Sequence, residues 1–297
     1  MLNSIDTVQE QLLEQNYVAD AGLSTIIFLA LRMGKPLFLE GEAGVGKTEV
    51  AKVLAQILQT NLIRLQCYEG LDIHNAVYEW DYSRQILHLR ILEASGANRA
   101  EMQHGLYDRD FLLARPLLQA LEQTQHQIPV LLIDEVDRAD EEFESFLLEI
   151  LSDFQISIPE IGTIYAEQPP VVILTSNRTR EVHDALKRRC LYHWINYPSF
   201  ETEYRIVMLK VPGISQRLTH QIVSVVQQLR SLELFKAPGA AETLDWAQAL
   251  QIMDVDQLDE QTVHQTLGVL LKYQDDVQRI QGAVTRDLVK RADHDNR

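Results

Sequence analysis

Cysteine is nearly missing from this 297-residue chain, with Cys67 and Cys190 the only two. They stand far apart without metal-ligand spacing. That argues against a disulfide framework or a zinc site and for two structural thiols in a reduced compartment. Positive charge is also scarce: 27 Lys and Arg face 43 Asp and Glu, a net charge of −16. A general phosphate-backbone binder needs clustered cations, so nucleic acid is disfavoured as a partner, as is docking on an anionic membrane. Long apolar runs are lacking too. The longest near the start, Ile26 to Leu31, falls far short of the ~20 residues of a membrane span. Met1 to Asp6 shows no basic segment leading into an apolar one, so no signal peptide is expected and the expected location is cytoplasmic. No internal repeat or low-complexity tract occurs. With 46% hydrophobic and 24% charged residues, the composition excludes disordered, collagen-like and coiled-coil classes. The length suits two domains.

The acidity is uneven. Residues 199–297 carry 14 acids and 11 bases, whereas residues 1–198 carry 29 acids and 16 bases. Between Asp134 and Asp153 alone there are nine acids and one base, Arg138. Beyond the two carboxylates that open this run, the acids are expected on a solvated helix face, where they would favour a protein client with a basic patch.

Short apolar runs without alternation read as buried parallel strands. These are Pro36–Leu39, Leu62–Leu65, Val130–Ile133 and Val171–Leu174, with a weaker fifth at Tyr192–Ile195. Helical stripes separate most of them, over Thr48–Leu58, Phe111–Leu121 and Phe143–Leu151. Alternating strands and helices predict a parallel α/β sheet covered on both faces. One segment departs from that rhythm. Gln155–Tyr165 alternates polar and apolar on both sides of Pro159–Gly162, which predicts a β-hairpin inserted between the third and fourth core strands. After Pro198 helical periodicity dominates, broken at Pro212-Gly213 and Pro238-Gly239. The expected organisation is an α/β nucleotide-binding domain over 1–198 and an all-helical domain over 199–297.

Gly41-Glu42-Ala43-Gly44-Val45-Gly46-Lys47-Thr48 fits the phosphate-loop pattern between a strand and a helix. Glycines let backbone amides close around phosphate oxygens, and the helix N-terminus adds a positive dipole end. Lys47 would reach the β- and γ-phosphates, and the Thr48 hydroxyl would hold Mg²⁺. Val130 to Ile133 ends in Asp134-Glu135. Asp134 would hold Mg²⁺ through water, and Glu135 would orient and deprotonate an attacking water. Asn177, ending the fourth strand, could polarise that water. Lys187-Arg188-Arg189 closes a helical stretch. An arginine there, Arg189 ahead of Arg188, could reach a neighbouring subunit's γ-phosphate.

Together these motifs resemble the AAA+ ATPases, and within them the MoxR family, closest to the CoxD-like branch of accessory ATPases for carbon monoxide dehydrogenase maturation. The resemblance spans nearly the whole chain. It is carried by Leu39–Glu49, Ile133–Ala139, Leu65–Gly70, the hairpin region Ser152–Ile164 and Pro238–Trp246. It implies an AAA+ fold: a five-stranded parallel core with helices on both faces and a β-hairpin insertion, followed by a helical lid. It also implies ATP and Mg²⁺ as cofactors, a homo-oligomeric, hexameric ring and a von Willebrand factor A-domain adaptor. Tyr78–Arg90, with Tyr78, Trp80 and Tyr82, would fall in an insertion facing the pore, against the alternative that these aromatics pack in the core. One departure stands out. The family places a sensor arginine at the start of a lid helix, yet Pro238–Trp246 contains none. Either Lys236 substitutes or the lid senses nucleotide differently.

The leading expectation is an ATP-driven remodelling factor that matures a partner enzyme, for example during metal-cofactor insertion. The alternatives are a nucleic-acid motor or clamp-loader-like ATPase, which would need a basic DNA-facing stripe, and a small-molecule kinase using the same phosphate loop.

Overall fold

The expected strands all form. Together with two strands that were not expected, Tyr78–Trp80 and Leu112–Ala114, the chain order is β1 (Leu37–Gly41), β2 (Leu62–Gln66), β3 (Tyr78–Trp80), β4 (Leu112–Ala114), β5 (Val130–Asp134), β6 (Gln155–Ile158), β7 (Gly162–Tyr165), β8 (Val171–Ser176) and β9 (Leu191–Ile195). The structure, a computed structural model, describes residues 2–95, 106–122 and 128–294. Gly22–Glu40 and Ala51–His193 form the bulk of one compact unit. Asp6–Ala21, Gly41–Val50 and the chain from Trp194 onward form a second.

The first unit is built on a five-stranded sheet in the order β2-β5-β8-β1-β9. Pairing is parallel, with Leu65 opposite Ile133, Ile133 opposite Leu174 and Phe38 opposite Leu174. On one face Phe38, Ile63, Leu65, Leu131, Ile133, Val172 and Leu174 join a core completed by helices Pro116–Leu121 and Glu141–Asp153. Leu37, Leu39, Leu132 and Ile173, which alternate with them, are equally buried, so both faces are covered. This is why the strands read as unbroken apolar runs. The hairpin is present as well. β6 and β7 pair antiparallel, with Ile156 opposite Ile164, and Ile156 and Ile158 are buried.

The helix expected over Phe111–Leu121 is not continuous. Leu112–Ala114 pairs antiparallel with Tyr78–Trp80, and the helix starts only at Pro116. Proline at the first helical position disfavours helical backbone for the residue before it, and Arg115 is extended (φ −94°, ψ 173°). Local turn chemistry therefore overrides the apolar stripe.

The second unit is helical in its C-terminal part. Helices Phe200–Lys210, Gln216–Arg230, Ala240–Ile252, Glu260–Leu270, Gln274–Ile280 and Ala283–His294 follow one another. Ile222, Val225, Val226, Leu229, Val263, Leu267 and Leu270 meet in its core around the fully buried Trp246. The indole Nε1 donates to Thr266 Oγ1 at 2.8 Å, satisfying the ring's polar atom inside that core. Ser199, Ser215 and Asp259 cap three of the helices through the amides of Thr202, Leu218 and Thr262. Among the described residues, no helix is long and apolar enough to cross a membrane.

Candidate nucleotide site

The phosphate-loop segment belongs to the second unit. Gly44 (φ +79°) and Gly46 (φ +96°) take left-handed backbone that side-chain-bearing residues avoid. At Gly44 space is also short, since a Cβ would lie 2.6 Å from Glu242 Oε2. Lys47 opens the following helix and is buried, its Nζ donating to the carbonyls of Gly41 (2.8 Å) and Glu42 (2.6 Å). Thr48 follows in the first turn of that helix, half-buried.

The stretch without a sensor arginine meets this loop directly. Ala241 N–H donates to Gly44 O at 3.0 Å, and Glu242 accepts the Gly239 N–H at 3.0 Å. This arginine-free stretch thus presents a backbone amide and a carboxylate to the loop. Lys236 donates its backbone N–H to Asp276 Oδ2 at 3.2 Å. Tyr17, unmarked by any motif, lies beside Gly46. Burial raises its phenol pKa, and Asp20 and Glu49 add to the rise.

The strand-end carboxylates belong to the first unit, at the end of β5 beside β8. Thr175 Oγ1 on β8 donates to Asp134 Oδ1 (2.6 Å) and accepts the Glu135 N–H (2.9 Å). Glu135 adopts left-handed backbone (φ 55°, ψ 51°), which costs a non-glycine residue of order 1 kcal/mol or more. Its Oε1 accepts from Asn177 Nδ2 at 3.0 Å, while Oε2 accepts from Gln66 Nε2 at 3.0 Å and pairs with Arg138 Nε at 2.9 Å. Asn177 and Glu135, 42 residues apart in the chain, are therefore brought together. Asp134 Oδ2 accepts from Arg64 Nε (3.0 Å) and Nη2 (2.5 Å). Arg64 and Gln66, both on β2, escaped sequence reasoning because an apolar strand pattern says nothing of its polar members.

Beyond Asp134, two further acids of the Asp134–Asp153 run are buried, which corrects the expectation of a solvated face. Asp137 is buried and accepts from Asn177 N–H (3.2 Å), Thr179 N–H (2.8 Å) and Thr179 Oγ1 (2.7 Å), so it shapes the turn that carries Asn177. Glu144 is buried and pairs with Arg180 while accepting His183 N–H at 2.8 Å. Asp140 caps the helix through Phe143 N–H at 2.8 Å. Both cysteines are buried free thiols with pKa values pushed up to about 12, first by burial. For Cys67 the nearby Asp134, Asp137, Glu135 and Glu144 add to the rise. Neither thiol is a nucleophile at neutral pH.

The basic cluster divides. Lys187 turns towards the buried Glu40 at 3.8 Å, whereas Arg188 and Arg189 are exposed at the end of helix Asp184–Arg189. Tyr192 also binds Glu40, at 2.8 Å, and its pKa is pushed up to about 12 by burial and then by that hydrogen bond. The aromatics of Tyr78–Arg90 divide likewise. Tyr78 and Trp80 sit edge-to-face in the core, as the bland alternative had it, and only Tyr82 is exposed.

Residues 36–190, just over half of the chain, match the AAA domain of the dynein-related subfamily. The chain belongs to this AAA family. It carries the domain of the AAA+ ATPases, a class whose proteins bind ATP and typically assemble as rings. Over 187 residues it is 26% identical to chaperone protein ClpB of Mycoplasma genitalium, a match covering 60% of this chain. The chain spans only 22% of that relative's length. Among solved structures it is similar to the Thermotoga maritima RuvB Holliday junction branch migration motor, with 18% identity, TM-score 0.45, and coverage of 88% of this chain and 69% of that one. For a variant of the same RuvB protein the TM-score is 0.49, with 18% identity and coverage of 92% and 72%.

The donor chemistry of this AAA domain suits Mg²⁺. Thr48 in the second unit and Asp134 in the first each offer a hard oxygen donor of the kind Mg²⁺ takes beside nucleotide phosphates. Among the described residues, no cluster of three His, Cys, Asp or Glu offers a rival metal site.

Proposed function

We propose that this AAA+ protein is an ATP-driven remodelling factor of the MoxR type that acts on a protein partner. Residues 1–198 serve as the nucleotide-binding domain and residues 199–297 as the lid. The observation that carries this reading is the pairing of Glu135 with Asn177 at the ends of neighbouring strands, in a chain that also bears a complete phosphate loop.

In this reading Gly41 to Gly46 wrap the phosphates with backbone amides. Lys47 exchanges its two loop carbonyls for phosphate oxygens, and Thr48 and Asp134 hold Mg²⁺. The metal, when bound, neutralises charge on the phosphates. Glu135 takes the proton of the attacking water, oriented by Asn177. Arg189, with Arg188 beside it, reaches the γ-phosphate of the next subunit in a homo-oligomeric, hexameric ring. The net charge of −16 directs the protein towards a client with a basic surface, through a von Willebrand factor A-domain adaptor, in the cytoplasm and away from polyanions.

The decisive test is Glu135→Gln. It should bind ATP as the parent does while turnover falls by about 10²–10⁴-fold, the usual contribution of a general base. Parental turnover in that variant would overturn the assignment. ATP hydrolysis by the parent should not respond to added DNA. Stimulation by DNA would favour a nucleic-acid motor instead.

A further inference from the structure

β2 and β5 run parallel, with Arg64 opposite Leu132 and Gln66 opposite Asp134. Arg64 is therefore one strand away from Asp134 and two positions back, close enough for its guanidinium to fold over the carboxylate. Both Nε and Nη2 bind the same oxygen, Oδ2, at 3.0 and 2.5 Å. The other oxygen, Oδ1, accepts from Thr175 Oγ1. The Asp134 side chain is 3% exposed, whereas that of Arg64 is 50% exposed. One partner is thus a fixed part of the sheet edge, and the other arrives from solvent on a long, displaceable stem. Arg64 also has a second acceptor within reach, since Nη2 donates to Gln66 Oε1 at 2.5 Å. Leaving Asp134 would not strip the guanidinium of partners or require its burial.

We infer that Arg64 is a built-in counter-cation that occupies Asp134 in place of the metal, competes with Mg²⁺ for that carboxylate, and withdraws onto Gln66 and solvent when Mg·ATP binds. Two cations cannot crowd one carboxylate, directly or through a bridging water, without repulsion, so a divalent ion displaces the half-exposed Arg64 only above a threshold concentration. The pair keeps a nearly buried carboxylate neutralised between turnovers, since an uncompensated buried charge is costly. It also sets how much metal the protein needs. The inference rests on the proposed Mg·ATP reading and assigns to Arg64 a role that no motif carries.

The test measures metal affinity as well as turnover. In a Glu135→Gln background with ATP, Mn²⁺ is titrated and its free fraction followed by electron paramagnetic resonance. Arg64→Met and Arg64→Gln, which remove the charge, should each lower the apparent Mn²⁺ dissociation constant by about tenfold, the size expected when one cation beside a divalent ion is removed in a largely hydrated setting. Arg64→Lys, which keeps the charge, should stay within about threefold of the parent. With Glu135 restored, the Mg²⁺ concentration giving half-maximal hydrolysis should fall in the same order. Unchanged or weaker Mn²⁺ binding in the charge-removing variants would overturn the inference. If Arg64→Met does not fold, Arg64→Gln, which retains a donor for Asp134, decides. Failure of the parent to bind ATP would count against the proposed function instead, because the metal comparison is made only on nucleotide-loaded protein.

Discussion

Each unit of this protein contains arginine–carboxylate pairs, and burial gives them different work. In the helical unit Glu203 is fully buried and Arg230 is 7% exposed. The pair is bidentate, at 2.6 and 2.7 Å, and each partner is satisfied further. Glu203 accepts from Thr243 Oγ1 (2.7 Å) and Gln227 Nε2 (2.8 Å). Arg230 Nε donates to Pro238 O (2.8 Å), and its guanidinium lies 4.8 Å from the centre of the Tyr197 ring. This network joins three helices to the segment that leads into Gly239 and the phosphate loop's neighbour Ala241. In the sheet unit, Arg64 and Arg138 approach Asp134 and Glu135 from solvent with half of each arginine side chain exposed. A buried pair with every hydrogen bond met defines one geometry, because removing either partner leaves a charge without compensation. A pair open to water can be exchanged at little cost. The network of the helical unit is therefore scaffold, and the strand-end pairs are suited to exchange partners.

The sharpest way to break this contrast is Arg230→Ala. It should destabilise the protein by about 3–5 kcal/mol by stranding Glu203, as seen when one partner of a buried pair is removed. Chemical denaturation reads this directly, and a loss below about 1 kcal/mol would place the pair with the exchangeable ones. Next in size is Asp259→Ala at the cap of helix Glu260–Leu270, which should cost about 1 kcal/mol at pH 7. The amide and hydroxyl of Thr262 hold the Asp259 carboxyl below its ordinary value of 3.8. Its folded-state pKa is thus depressed, so the contribution is complete above that value and fades as pH falls through the folded pKa. The gap between parent and variant should accordingly narrow in denaturation curves taken near pH 3. A gap that widened on acidification would contradict the cap. Smallest of the three is Arg138→Ala. The exposed pair with Glu135 should contribute about 0–1 kcal/mol to stability, and that should shrink further in high salt. A loss comparable to that of Arg230→Ala would erase the distinction between the two regions.

Much of the fold and part of the site were legible in the sequence, for local reasons. Strands buried on both faces need unbroken apolar runs, and the hairpin shows its alternation on either side of Pro159–Gly162. Asp134-Glu135 could be read because the pair closes such a run. The reading failed where one local signal competed with another. Leu112–Ala114 became a strand because Pro116 delays the helix, and the acids Asp137 and Glu144 looked like surface because nothing nearby in sequence marks them as acceptors.

By itself, then, the sequence determined the strand pattern, the phosphate loop and the carboxylate pair, all of which depend on contiguous residues and on backbone conformations that only certain residues adopt. The tertiary structure alone decided what those groups touch. Arg64 reaches Asp134 across 70 residues, Asn177 reaches Glu135 across 42, and Ala241 meets Gly44 across nearly 200. The physical reason is register. Parallel strands far apart in the chain lie side by side at a spacing set by backbone hydrogen bonds, and a shift of one residue would separate Arg64 from Asp134 and Asn177 from Glu135, whereas Ala241 meets Gly44 backbone to backbone.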